Sequence, residues 1–164
     1  MKAAPIKTKG EYQVKIITLQ GIANSGKSTA LKMLYFLLLD NGAKLIAFPE
    51  GEKIQSREKF QNELSAVSHR VSDIALVVEY KGMRIGIFSA GDSPSIIRTG
   101  IWFFEFYHCD IGFNASHLIQ THINCIKAFQ SQYGYACDCI PITIFNNPPL
   151  PNSKRTAEKL FKMI

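Results

Sequence analysis

The sequence predicts an α/β domain on a largely parallel sheet with one antiparallel hairpin strand. Three observations predict it. β-Branched and apolar runs alternate with helical apolar patterns along the whole chain. Two β-type runs, 73–80 and 83–89, are joined by Lys81-Gly82 alone, which is hairpin spacing. A glycine-containing turn links the first β run directly to a strongly apolar helical segment. At 164 residues and 46% hydrophobic composition, the chain suits one domain, 1–164, with a core of its own.

Each element has its own signal. Residues 1–10 are Lys-rich with Pro5 and Gly10, and a flexible lead-in is expected there. The run 12–19 (YQVKIITL) reads as a strand. Residues 28–40 are apolar on nearly every side, which marks a buried helix, and Asn41-Gly42 is its stop. Residues 44–48 read as a short strand closed by Pro49. Phe60, Leu64 and Val67 stand at helical spacing in the polar stretch 50–70, predicting a short helix or flap. After the hairpin, Ser93 caps a helix with Pro94 at its first position, running through the aromatic block 102–107. The block reads as core packing; a partner interface is the alternative, because contiguous rings cannot all face one side of a helix. A short strand is expected at 110–113. A helix capped by Ser116 and ended by Gly134 follows, then a strand at 139–145. Residues 146–151 are Pro-rich loop, and Ser153 caps a last helix at 154–163.

The formal charge is +6, and its distribution matters more than its size. Residues 1–15 and 154–164 each carry a net of +3, while 16–153 is neutral. A neutral body argues against the continuous basic groove that nucleic-acid binding needs. No apolar run approaches the ~20 residues of a membrane span, and the N-terminus lacks a secretory pattern. A cytoplasmic protein with four reduced cysteines is therefore expected. His108, Cys109, His117, His122, Cys125, Cys137 and Cys139 lie close in sequence, but none of their spacings is that of a zinc site.

The chemistry concentrates in 21–28: Gly21, Ile22, Ala23, Asn24, Ser25, Gly26, Lys27 and Ser28. This fits G-x-x-x-x-G-K-[ST] at every specified position, in a strand–loop–helix context. Glycines allow the turn, loop N–H groups converge on a phosphate, and the helix N-terminus adds positive potential. Lys27 supplies a point charge, Ser28 a magnesium-binding hydroxyl, and Thr29 a further phosphate contact.

Here the chain resembles the P-loop NTPase superfamily, in particular small bacterial P-loop ATP-binding proteins in which Gly-Asp follows a strand. The resemblance implies a three-layer fold with the phosphate site at the strand ends, and ATP with Mg²⁺ as cofactors. It also implies an acidic residue at the end of a neighbouring strand. Asp92 is the carboxylate nominated, although Ser89-Ala90-Gly91 stand between it and the apolar run and Ser89 is a rival for the acid's position. The hairpin before it resembles the switch region of Ras-like GTPases. Neither D-x-x-G nor the guanine-reading N-K-x-D pattern is present at the corresponding places, so ATP is preferred to GTP.

The expected activity is ATP hydrolysis, slow or partner-dependent, because no arginine finger or water-positioning glutamine stands out. A small kinase is the alternative, with Glu50 as a base or acceptor contact and Glu52, Lys53, Arg57, Lys59, His69 and Arg70 as a lid. A noncatalytic nucleotide-binding module, with a protein partner or as a homo-oligomer, is a third reading. Arg98 is a further candidate charge, and residues 114–116 and 146–149 are candidates for base contacts.

Overall fold

The computed structural model describes residues 14–21, 26–48, 56–65, 71–117, 124, 127, 136–141 and 150–164. The elements are β1 (Lys15–Gln20), α1 (Lys27–Asp40), β2 (Lys44–Ala47), α2 (Arg57–Ser65), β3 (Ala75–Tyr80), β4 (Met83–Phe88), α3 (Pro94–Phe106), β5 (Ile111–Ser116), β6 (Ala136–Pro141) and α4 (Leu150–Phe161).

The six strands form one open sheet in the order β2-β3-β4-β5-β1-β6. β1 pairs in parallel with β5 and β6, and β4 pairs in parallel with β5. β3 pairs antiparallel with both β2 and β4. The expectation of a mostly parallel sheet is thus corrected to a mixed one, because β2 adds to the hairpin and not to the parallel block. A second correction concerns neighbours: β5 lies between β1 and β4, so the strand before Asp92 does not touch the strand before the glycine-rich loop.

Alternation along the strands divides the core between two faces. Ile17, Leu19, Ile85, Ile87 and Phe113 face α1 and α4, meeting Leu31, Leu34, Leu38 and Leu160. Ile16 and Val77 face α3, meeting Ile97, Ile101 and Phe104. Leu31, Leu34 and Leu38 are fully buried, and truncating one such leucine to alanine costs about 2–5 kcal/mol. The aromatic block, expected as core, divides between core and surface. Phe104 is buried, while Trp102 and Phe106 are exposed.

Local signals hold where the chemistry is short-range. Asn41 is the C-cap of α1, and Gly42 has φ 95°. Lys81 (φ 50°) and Gly82 (φ 79°) both turn left-handed, as a tight hairpin requires. Ser93 Oγ accepts from Ile96 N at 3.3 Å with Pro94 at the helix start.

Three boundaries move. β5 continues through Ser116, so Ser116 ends a strand instead of capping a helix, and its hydroxyl donates to the His117 carbonyl. β6 begins at Ala136, earlier than expected, and 142–145 lie outside the described residues. α4 begins at Leu150, so Ser153 lies within it and is not its cap. Pro151 occupies a first-turn position, where no intrahelical N–H bond is needed. The basic C-terminal stretch is consequently the solvent face of a packed helix. Ala157 and Leu160 are buried, and Lys154, Arg155 and Lys159 are exposed. No described helix is long and apolar enough to cross a membrane.

Candidate functional site

The site is built on the C-terminal edge of β1. Gly26 adopts φ 93°, a left-handed conformation that a side chain would strain, and α1 starts at the next residue. Its carbonyl accepts from Ala30 N at 2.9 Å and from Ser153 Oγ of α4 at 3.1 Å. A helix over a hundred residues away in sequence thus braces the loop's exit. The first turn of α1 contains no acidic residue and no side-chain cap. The helix dipole makes such a start favourable to nearby negative charge.

Lys27 Nζ donates to the Gly21 carbonyl at 2.9 Å, which ties the two ends of the loop together. Burial pushes the Lys27 amine down from 10.5 to about 8, and the nearby Asp92 charge opposes part of that fall. An amine that burial makes costly to keep charged gains from an anion that restores its counter-charge. Thr29 is buried. Ile22, Ala23, Asn24 and Ser25 lie outside the described residues.

A second group forms beside Ser28. Ser28 Oγ donates to Asp73 Oδ1 at 3.1 Å, and Ser89 Oγ donates to the same oxygen at 2.9 Å. Ser89 is buried at the tip of β4, and its hydroxyl also accepts from Ile74 N at 2.8 Å. Asp73 reaches this edge because β3 runs against β4. The residues entering β3 therefore lie beside those leaving β4. Sequence reasoning missed Asp73. The signal was available, since a hairpin predicts that its first strand begins where its second strand ends.

Lys32, one turn beyond Ser28, is fully buried and was also missed. Its Nζ lies 3.1 Å from Glu63 Oε2 of α2 and donates to Ser72 Oγ at 2.9 Å. The Ser72 hydroxyl donates to Glu63 Oε1 at 2.7 Å. Burial lowers the Lys32 amine, with Glu63 opposing. For Glu63, burial alone would raise the carboxyl, but hydrogen bonds from Ser72 and Lys32 outweigh it and hold it below its ordinary value. This network fastens α2 and the entrance of β3 to α1.

A third group lies on the other flank. The 89–92 loop passes so close to β5 that a Cβ on Gly91 would stand 2.0 Å from the Ala115 carbonyl oxygen. Only glycine fits, and the loop carries Asp92 to 3.2 Å from His117 Nε2 at the end of β5. Asp92 is 79% exposed. The structure therefore places Lys27 and Asp92 within electrostatic influence of each other, and Ser28 against Asp73.

Other candidates are placed differently. Arg57 bonds Asp40 and donates to the Phe36 carbonyl at 3.2 Å, with its guanidinium 5.0 Å from the Phe36 ring. It anchors α2 to the end of α1, away from the loop. Lys59 and Arg98 are exposed. Glu50, Glu52, Lys53, His69, Arg70 and 146–149 lie outside the described residues. Asn114 and Ser116 are buried strand residues and not loop groups. Among the described residues, Asn114 and its register partner Thr18 have no hydrogen-bond partner for their side-chain polar atoms, and a buried polar group left so costs about 1–3 kcal/mol. Among the described residues no three His, Cys, Asp or Glu side chains gather as a metal cluster. Burial pushes the Cys109 thiol up to about 12, so it is inert.

No family model, curated protein or solved structure matches this chain.

Proposed function

We propose that the chain binds ATP with Mg²⁺ at residues 21–29 and hydrolyses it, slowly or under a partner's control. The observation that carries this reading is the geometry at the two ends of the loop. A left-handed Gly26 opens an uncapped, acid-free helix start, and a partly buried Lys27 amine bridges back to Gly21. This is the arrangement expected of a phosphate site whose lysine is parked on backbone until phosphate arrives. The oxygen donors suit magnesium, which takes one or two protein oxygens and completes its shell with phosphate and water. Ser28 supplies the hydroxyl, with carboxylates on either flank of the loop. Bound magnesium would neutralise charge developing on the phosphates. The chain's own part is to orient the phosphates through the loop and helix end and to place the Lys27 charge on them.

Water is favoured over a phosphoryl acceptor as the attacking group, because Arg57, one of the cations of the expected lid, is committed to α1. ATP is favoured over GTP by the lack of a guanine-reading motif. The test is calorimetric titration of ATP with Mg²⁺, together with phosphate release. Lys27→Ala is expected to weaken binding by about ten- to a hundredfold, the loss of one charge-assisted contact. Equal binding by the variant, or no binding by the wild type, would overturn the reading.

A further inference from the structure

We infer that Asp73, entering the antiparallel strand, is the carboxylate that serves magnesium together with Ser28, and that Asp92 is not. This rests on the nucleotide-binding reading above. In a loop of this pattern the metal-binding side chain is Ser28, so the acid that shares the cation must stand beside Ser28. Asp73 does, at 3.1 Å. Its Oδ1 takes the hydroxyls of Ser28 and Ser89, and no hydrogen bond among the described residues reaches Oδ2. One oxygen is therefore held while the other is available, and the carboxylate is exposed to the solvent from which a hydrated cation arrives.

Asp92 is placed for something else. Its charge acts on Lys27, which carries a positive charge of its own, and its Oδ1 lies against His117. Among the described residues no hydrogen bond joins Asp92 to Ser28, whereas Asp73 accepts one from it. Ser89 explains why an acid is dispensable at the tip of β4. It is buried where a strand-end carboxylate is expected, and its hydroxyl holds Asp73 Oδ1 at that place from the adjoining strand. The carboxylate is supplied by the neighbouring strand and positioned by Ser89.

The donor set of one hydroxyl and one carboxylate fits magnesium and not zinc, which prefers sulfur and nitrogen ligands. The experiment is calorimetric ADP binding in Mg²⁺ and in EDTA, which reads cation coupling without turnover. In the wild type, Mg²⁺ is expected to tighten ADP by about tenfold, equivalent to about 1.4 kcal/mol. Asp73→Asn keeps an oxygen for the two hydroxyls, so its affinity in EDTA should match wild type while the Mg²⁺ enhancement falls below about twofold. Asp92→Asn should retain the enhancement. Retention in Asp73→Asn, or loss in Asp92→Asn, would overturn the assignment. If Asp73→Asn does not fold, the Asp92→Asn result alone still decides, supporting the inference when the enhancement stays and refuting it when it goes. ADP binding in EDTA with no Mg²⁺ effect in the wild type would refute the magnesium assignment and leave phosphate binding standing. No ADP binding in either condition would refute nucleotide binding itself.

Discussion

Asp73 and Asp92 stand on opposite flanks of the same loop and are held in opposite ways. Asp73 is fixed by two hydroxyls and sits next to the buried Lys32–Glu63–Ser72 network. Asp92 projects into solvent from a loop pressed against β5, with His117 as its neighbour. In sequence, Asp92 looks better placed, because it follows an apolar strand that leads into a helix. In three dimensions, strand direction decides. A carboxylate at the start of an antiparallel strand reaches the same edge as one at the end of a parallel strand.

The largest expected effect attacks the Asp73 flank through its support. Lys32→Ala would leave Glu63 without its buried cation, at a cost of about 3–5 kcal/mol, read as a lowered urea midpoint. A loss under about 1 kcal/mol would show that the network does not anchor this flank. Gly91→Ala attacks the other flank. The backbone of Ala115 cannot yield as a side chain can, and the substitution should cost about 1–3 kcal/mol. It should also disturb Asp92 while leaving the Asp73-dependent cation effect intact.

Smaller effects follow from charge. The Glu63 carboxyl lies below its ordinary 4.5, so its contribution is present above that pH and is lost as pH falls through the lower folded value. A urea series from pH 6 downward should show this loss in the wild type and not in Glu63→Gln. Burial pushes the Lys27 amine down to about 8, so ADP affinity in EDTA should weaken as pH rises past about 8. Because Asp92 opposes the fall, Asp92→Asn should move that break to lower pH. An unmoved break would show that Asp92 does not act on Lys27.

How much was legible depended on the range of the interactions. The loop 21–28, the Lys81-Gly82 turn, and Ser93 with Pro94 announce themselves because each obeys local stereochemistry. Strand order is set by pairings between distant segments, so nothing near Asp92 reveals that β5 separates β4 from β1. Asn114 and Ser116 look like loop residues because they are polar. They are buried strand residues all the same, on an interior strand that pairs with β1. Lys32 looks like a break in an apolar helix, since its partners Glu63 and Ser72 come from far along the chain. Asp73 needed only one further step, the direction of the hairpin.

That hairpin also acts as a ruler. Six registered pairs, from Tyr80 opposite Met83 to Ala75 opposite Phe88, measure the distance from the turn to the strand mouth. A slip of two residues would carry the mouth about 6.8 Å along its neighbour, twice the rise of an extended residue. That exceeds any hydrogen bond, so Asp73 would lose both Ser89 and Ser28 together. A slip of one residue would turn the apolar row of β3 to the wrong face. Insertions at the exposed Lys81-Gly82 tip leave the count unchanged. An extra residue within either strand does not, which makes strand length itself part of the site.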